Sequence, residues 1–458
     1  MTLSYQEALD YLYSLINYEV QRPERYAPDV VSLDRPRALM HAFGDPQEQY
    51  PILHLTGTKG KGSVSAMCAS VLQASGLKVG LYSSPHLQDF RERFLINGEM
   101  ITPEALTALV ERVRPVVEGI AGLTWFEVIT AIAFLHFAQS KVDVAVIEVG
   151  LGGRLDATNI IKTPKVSVIT SLSFDHTHLL GSTIPQIAAE KAGIIKFGCP
   201  VVSAPQPPEG LAVIQQTAAE RSAPLTVVGQ DLLYKTESGD EYGQSFTVTQ
   251  PGGKSLPLWT PLIGAHQSLN ATVAVAALRT LKDLAPSDHA IRMGIAAVNW
   301  AGRLEVVRRA PYLVLDVAHN GASAERLRDA LNHNFPSVRR RVLIFGAFKD
   351  KDVRSMFSAL LPITDHLILM QPVNSRAFNT DDLITLAREN GFTGQIEAHP
   401  AASDALIRAE SLATDPSDLI CATGSLSVVG EIRSVLNLAP THASYLDEMT
   451  VRALQSAR

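Results

Sequence analysis

One short segment limits what this chain can fold into: residues 54–64, HLTGTKGKGSV, place glycines and a lysine between an apolar run and a helical pattern. Residues 51–55 have strand character, and 63–72 read as a helix closed by Gly76. Between them, Gly57, Gly60 and Gly62 let backbone N–H groups turn toward phosphate oxygens, while the helix N-terminus adds its positive end. Lys61 can neutralise terminal phosphates, and the Ser63 hydroxyl is suitably placed to ligate Mg²⁺. The order GxxGKGS departs from the usual GxxxxGK[ST] by setting Gly62 between lysine and serine. The strand–loop–helix pattern predicts ATP binding.

A chain of 458 residues exceeds one ordinary core, so two domains are expected. Hydrophobic content of 46% with 19% charged residues places it among globular proteins. A net charge of −6 argues against general nucleic-acid binding, though a local basic patch can still hold an anionic substrate. Cys68, Cys199 and Cys421 lie far apart with no CxxC pair, which fits a reducing compartment and supplies no cysteine metal site. The N-terminal stretch carries Glu7 and Asp10 and does not read as a signal peptide; no charge-free run reaches membrane-spanning length. The expectation is a cytoplasmic protein with neither nucleic acid nor membrane as partner.

Strand-like runs recur at 78–82, 142–147, 165–170 and 200–203, with helical stretches such as 124–138 between them. Residues 234–259 are polar, glycine-bearing and alternating, the pattern of a small antiparallel appendage. A helix is predicted over 267–283, and strands resume at 312–316, 341–345, 366–370 and 418–422. This reads as an α/β protein. An N-terminal P-loop-type doubly wound ATPase domain, 1–300, is joined to a smaller C-terminal Rossmann-like α/β domain, 301–458.

In open α/β sheets ligands bind beyond the carboxyl ends of strands. Glu148 follows the 142–147 run, where a carboxylate can coordinate Mg²⁺ or merely cap a strand. His176, after the 165–170 run, is by residue type more often structural than metal-binding. Lys191 reads as a helix C-terminal cation, and residues 154–159 as a capped turn. Asp316, His319 and Asn320 follow a strand of the second domain and can reach a nucleotide across a cleft.

Together these segments resemble the folylpolyglutamate synthase/dihydrofolate synthase family of the Mur ligase superfamily. The motifs occur in order: GTKGKGS at 57–63, SSPHL at 83–87 with Glu92-Arg93, EVGLGGRLDATN at 148–159, Asp175-His176, EKAGIIK at 190–196, Gly302-Arg303, DVAHN at 316–320 and TGSL at 423–426. The resemblance implies ligation of L-glutamate to a folate, to dihydropteroate, or to both, with ATP and two Mg²⁺ sites. It makes Gly57, Thr58, Gly60, Lys61, Gly62, Ser63, Asn270, Arg303 and Asp316 nucleotide contacts, and Ser63, Ser84, Glu148, His176 and Lys191 metal-site residues. Lys191 resembles the lysine that CO₂ carboxylates in this family; Lys61, Lys191 and His319 are the catalytic set. Thr124, Phe126, Asp156 and Ala157 match the pterin pocket, where an aromatic can stack. By analogy the chain is a monomer. Two departures stand out: Lys59 replaces an asparagine usual in the loop, and Gly321 follows Asn320 where proline is frequent. A Mur-type peptidoglycan ligase is the alternative within the enzyme class, and a P-loop regulatory or motor NTPase the alternative outside it.

Overall fold

Apolar runs without alternation become central parallel strands, because helices cover both of their faces. The computed structural model describes residues 3–19 and 32–438. Its first sheet comprises β1 (Ile52–Thr56), β2 (Val79–Tyr82), β3 (Phe94–Ile96), β4 (Glu99–Met100), β5 (Val144–Glu148), β6 (Val166–Ile169), β7 (Val201–Ser203) and β8 (Leu225–Val227). Their spatial order is β4-β3-β2-β5-β1-β6-β7-β8. The six strands from β2 through β8 run parallel, and β3 and β4 add an antiparallel edge. β1 and β5 are buried along their whole length, as central strands require.

The alternating stretch forms a separate three-stranded antiparallel sheet of β9 (Leu233–Gly239), β10 (Gln244–Thr249) and β11 (Ser255–Thr260). A third sheet holds β12 (Glu305–Arg309), β13 (Tyr312–Leu315), β14 (Arg341–Phe345), β15 (His366–Leu369), β16 (Gln395–Ala398) and β17 (Leu419–Thr423). It is ordered β12-β13-β17-β14-β15-β16, parallel except for β12. The molecule is thus α/β, with a P-loop-type parallel sheet followed by a second, Rossmann-like one. The helix predicted over 267–283 is shorter, Ala265–Arg279, because the Thr280 and Leu281 amides close the turn on Ala277 and Leu278. Residues 439–458, part of the expected second domain, lie outside the described residues. No helix among the described residues is long and apolar enough to cross a membrane.

The helix Lys61–Ala74 carries the phosphate loop into the core. Its residues from Ser63 to Leu72 are all buried, between the first sheet and the helices Ala265–Arg279 and Asp288–Ala297. The last of these approaches very closely: a Cβ on Gly294 would lie 2.3 Å from Val71 Cα. Ser70 Oγ donates to the Gly294 carbonyl at 2.7 Å, closing the contact with a hydrogen bond. A methyl group there must push the helices apart, and the cost of such overpacking is ~1–3 kcal/mol. Gly294→Ala is therefore expected to lower the urea midpoint by that amount of stability with an unchanged m-value. An unaltered midpoint would mean that the helices separate freely.

Candidate active site

β1 ends at Thr56 and the chain turns at once. Gly57 has φ +149° and Gly60 φ +91°. A Cβ on Gly57 would sit 1.9 Å from Thr170 Oγ1, and one on Gly60 2.5 Å from Asn270 Oδ1. Only glycine lets the loop lie this close to the end of β6 and to the helix Ala265–Arg279. The Thr58 and Lys59 amides donate to the Ser171 carbonyl at 3.0 and 3.1 Å. Lys61 then opens its helix, whose positive end faces the loop, with Ser63 buried in the first turn. At Gly62 an added Cβ would be 3.0 Å from the Trp300 ring, so the indole covers the start of the helix.

Lys61 Nζ and Lys191 Nζ both donate to the Gly57 carbonyl, at 3.1 and 3.0 Å. Lys191 is delivered by the helix Ile184–Ala192, which a Thr183–Gln186 capping box starts. Burial, and then repulsion from Lys61, pushes its pKa down to about 7, so a free amine is accessible near neutrality. Glu148 closes β5, and burial pushes its carboxyl up to about 7 against the pull of Lys61, Arg303 and the Ser84 amide. Arg303 reaches from the second domain: burial lowers its pKa, and Asp316 and Glu148 both raise it. Asp316 is fixed by the Leu304 and Ala318 amides, each 2.8 Å away.

A cavity joins this set to the end of β6, lined by Gly57, Lys61, Gly152, Asp175, His176 and Lys191 among others. Asp175 pairs with Lys59 Nζ at 3.5 Å. Burial alone would raise its pKa, but nearby positive charge, Lys59 foremost, outweighs burial and lowers it. His319 is held neutral, its pKa pushed to about 4 by burial and then by Lys59. Its Nδ1 lies 2.9 Å from the Val317 carbonyl, which only accepts, so Nδ1 carries the proton and Nε2 keeps its lone pair. His176 has φ +48° and a side chain 41% exposed at the cavity edge.

The residues expected around a pterin divide into two kinds. Phe126 brings the tip of its ring against the backbone, since a Cβ on Gly150 would fall 2.4 Å from its Cζ. Thr124 and Asp156 are occupied with local structure. Thr124 caps the helix Trp125–Gln139 through the Glu127 amide at 3.3 Å. Asp156 accepts from the Leu151 and Thr158 amides at 3.0 Å each and from Thr158 Oγ1 at 2.6 Å. Ala157 is buried beside it. Sequence reasoning left the Lys59–Asp175 pair and Trp300 out of the site. The unusual lysine in the loop was the available signal for the pair; nothing local marked Trp300.

Among the described residues, no three His, Cys, Asp or Glu side chains converge as a metal group. Mg²⁺ does not need such a cage, being held by one or two carboxylates together with substrate phosphates and water. Ser63, Ser84, Glu148 and His176 offer two hydroxyls, a buried carboxylate and an imidazole. Glu148 is 4% exposed and its pKa is raised by burial despite Lys61 and Arg303, so a buried carboxylate stands ready for a cation, and the oxygen donors of the set fit the ion.

Residues 55–278 match the Mur ligase middle domain family, and 302–426 match the Mur ligase, glutamate ligase domain family. A dihydrofolate synthase/folylpolyglutamate synthase of Bacillus subtilis is 34% identical over 445 residues, spanning 95% of this chain and all (100%) of that relative. The folylpolyglutamate synthase of Mycobacterium tuberculosis complexed with ADP superposes with a TM-score of 0.87 at 33% identity, covering 95% of this chain and 99% of that one. FolC of E. coli in complex with DHPP and ADP gives 0.83 at 30% identity, over 95% and 99%.

Because the Gly57 backbone has no room for a methyl group, Gly57→Ala is expected to weaken ADP binding at least about tenfold, or ~1.4 kcal/mol, in calorimetric titration. Unchanged affinity would remove the loop from the nucleotide site.

Proposed function

The chain belongs to the folylpolyglutamate synthase/dihydrofolate synthase family, and from that premise we propose that Lys61, Glu148, Lys191 and His319 carry out its ligation of L-glutamate to a folate or to dihydropteroate. It is an ATP-dependent ligase that works through an acyl phosphate. The two lysines on one carbonyl oxygen, Lys61 and Lys191 on Gly57, are the observation that carries this reading. A site that crowds cations against a glycine loop and a helix N-terminus is built for a polyphosphate.

The substrate carboxylate attacks the γ-phosphorus of ATP, giving acyl phosphate and ADP; the glutamate amine then attacks the acyl carbon and phosphate leaves. We assign Gly57, Thr58, Gly60, Gly62 and Ser63 to the phosphates, with Lys61 neutralising charge as it moves to the leaving oxygen. Asn270 supports the loop at Gly60, and Arg303 and Asp316 hold the nucleotide from the second domain. Mg²⁺, held by Ser63, Ser84, Glu148 and His176, would supply further charge neutralisation at the phosphates. His319 Nε2 is free to accept from the glutamate amine. Its pKa of about 4 suits orienting an N–H more than retaining the proton. We assign Phe126 to stack on a pterin, with Thr124, Asp156 and Ala157 as its neighbours in that pocket.

The division of labour follows the two sheets, with ATP handled by the expected first domain, 1–300, and Arg303, Asp316 and His319 supplied by the described part of the expected second, 301–458. Both halves of the site come from one chain, so the reading needs no second copy. The three free cysteines suit a reducing cytoplasm.

The decisive assay is ADP release with Mg-ATP and L-glutamate, supplying dihydropteroate or tetrahydrofolate in parallel and identifying products by mass. Turnover with both substrates makes the enzyme bifunctional, and turnover with tetrahydrofolate alone makes it a polyglutamylating enzyme. ATP hydrolysis that ignores glutamate would sink the ligase reading.

Lys191 also has the chemistry for carboxylation. Its folded-state pKa of about 7 lies below the ordinary 10.5, so the neutral amine that attacks CO₂ gains as pH rises through 7 and is lost below it. Enzyme equilibrated with ¹³C-bicarbonate is expected to show a carbamate carbon by NMR that fades on acidification through that range. The signal should be missing in Lys191→Ala, and its absence from the unaltered enzyme would rule the modification out.

A further inference from the structure

The loop leaving β2, residues 83–89, carries Ser84 in the first domain, yet the second domain grips it. Glu92 takes the amides of Leu87, Gln88 and Asp89 at 2.7, 2.9 and 2.9 Å, which fixes the loop backbone. Beyond that point the Gln88 side chain reaches the helix Leu426–Val435. Its Oε1 accepts from Arg433 Nε at 2.7 Å, and its Nε2 donates to Ser434 Oγ at 3.3 Å and to the Leu438 carbonyl at 3.2 Å. Arg433, with a side chain only 5% exposed, also pairs through Nη1 with Glu305. The other Glu305 oxygen accepts from the Gly302 amide at 2.8 Å.

The packing around this link leaves little slack. A Cβ on Gly430 would lie 2.4 Å from the Leu87 carbonyl oxygen, so the helix can touch the loop only with glycine there. The Leu87 side chain seats on the apolar cluster that includes Val317, Val429 and Ile432. Gly302, at φ +70°, meets the same group: a Cβ would be 2.9 Å from Val317 Cγ1 and 3.5 Å from Leu87 Cδ2. One guanidinium therefore joins the loop that carries Ser84, the helix Leu426–Val435 and the turn that carries Arg303. Ser84 and Arg303 are the two groups that approach Glu148 from these segments.

We propose that Arg433 is a positioning residue for the ligation, tying the Ser84 loop to the Arg303 turn across the domain boundary and so fixing the surroundings of Glu148. Its partners Gln88 and Glu305 lie outside the phosphate loop. The role needs arginine, because a planar fork donates to Gln88 and Glu305 in fixed directions at once, whereas an ammonium is a single point. The proposal rests on the ligase reading above, and its test separates the two.

Outright loss of the Arg433 charge would strand Glu305 in a half-buried site and endanger folding. Arg433→Lys and Gln88→Ala are therefore the variants of choice; the second cuts only the arm that reaches the loop. Each is expected to lower kcat about tenfold, since a small misplacement of reacting groups is costly. Calorimetric ADP affinity should stay within about twofold, and the melting temperature within about 3 °C. The double variant should lose no more than the worse single one, because both cut one link. Hydrogen exchange at the 87–89 amides should speed up in both variants while that of the phosphate loop does not. Normal kcat in Gln88→Ala, multiplicative losses in the double variant, or unchanged exchange at 87–89 would each overturn the proposal. Unaltered enzyme that releases ADP without regard to glutamate would sink the ligase reading instead, and the exchange result would still decide whether Arg433 holds the loop.

Discussion

The Gly57 carbonyl receives Lys61 Nζ at 3.1 Å and Lys191 Nζ at 3.0 Å, and much of the surrounding structure serves to hold those two charges together. Like charges this close, with Lys191 buried and Lys61 partly so, repel in a medium that screens poorly. Their convergence has to be imposed by packing. Gly193 lies so near Arg154 that a Cβ would be 2.5 Å from its Cα, and Gly153 lies 3.0 Å, on the same measure, from the Glu190 carbonyl. The helix bearing Lys191 is thereby pressed onto the 150–159 loop. The Arg154 amide donates to the Glu190 carbonyl at 2.8 Å, and the Asn159 side-chain amide donates to the Gly193 carbonyl at 3.2 Å. What looks from residue types like an ordinary capped turn is the bracket that forces two lysines onto one oxygen.

The second domain answers this positive site with a mixed set of groups. Arg303 stands between Glu148 and Asp316, one carboxylate from each side of the boundary. Lys59 and Asp175 face His319 in the same way. Each contact ties an electrostatic balance in one domain to the position of the other, so the site is complete only when the two lie together. Closure of that kind also keeps water from an acyl phosphate, which is what a ligase of this type requires of its second domain.

How much of this was legible in the sequence depended on the range of the interaction. Central strands such as β5 declared themselves as unbroken apolar runs, and the glycine spacing of the loop had a local backbone reason. β12, with its sequence Glu-Val-Val-Arg-Arg, is an edge strand whose charges hide it from a search for buried runs. β3 and β4 are too short to show a period. At the site, the family motifs named Lys61, Lys191, Glu148 and Arg303, and the structure brings them around one loop. It cannot be read from a motif that Thr124 and Asp156 are engaged by their own backbone neighbours. Nor does spacing reveal that Lys59 meets Asp175 across 116 residues, or that Arg433 reaches Gln88 across 345.

The crowding of Lys61 and Lys191 has two physical remedies. A bound triphosphate supplies negative charge from outside, and carboxylation of Lys191 turns one of the two cations into an anion. The remedies differ in lifetime. Nucleotide leaves after every turnover, restoring the repulsion, whereas the proposed carbamate would not depend on bound nucleotide and would convert the Lys61 contact from repulsive to attractive. With Lys191 anionic, the net charge facing the phosphates would fall by two relative to the protonated lysine, and Lys61 and Lys59 would be the side-chain cations of the loop. Asparagine at position 59 would leave Lys61 alone in that role. The lysine at position 59, restrained by Asp175, supplies a second positive charge at the point where the modification would remove one.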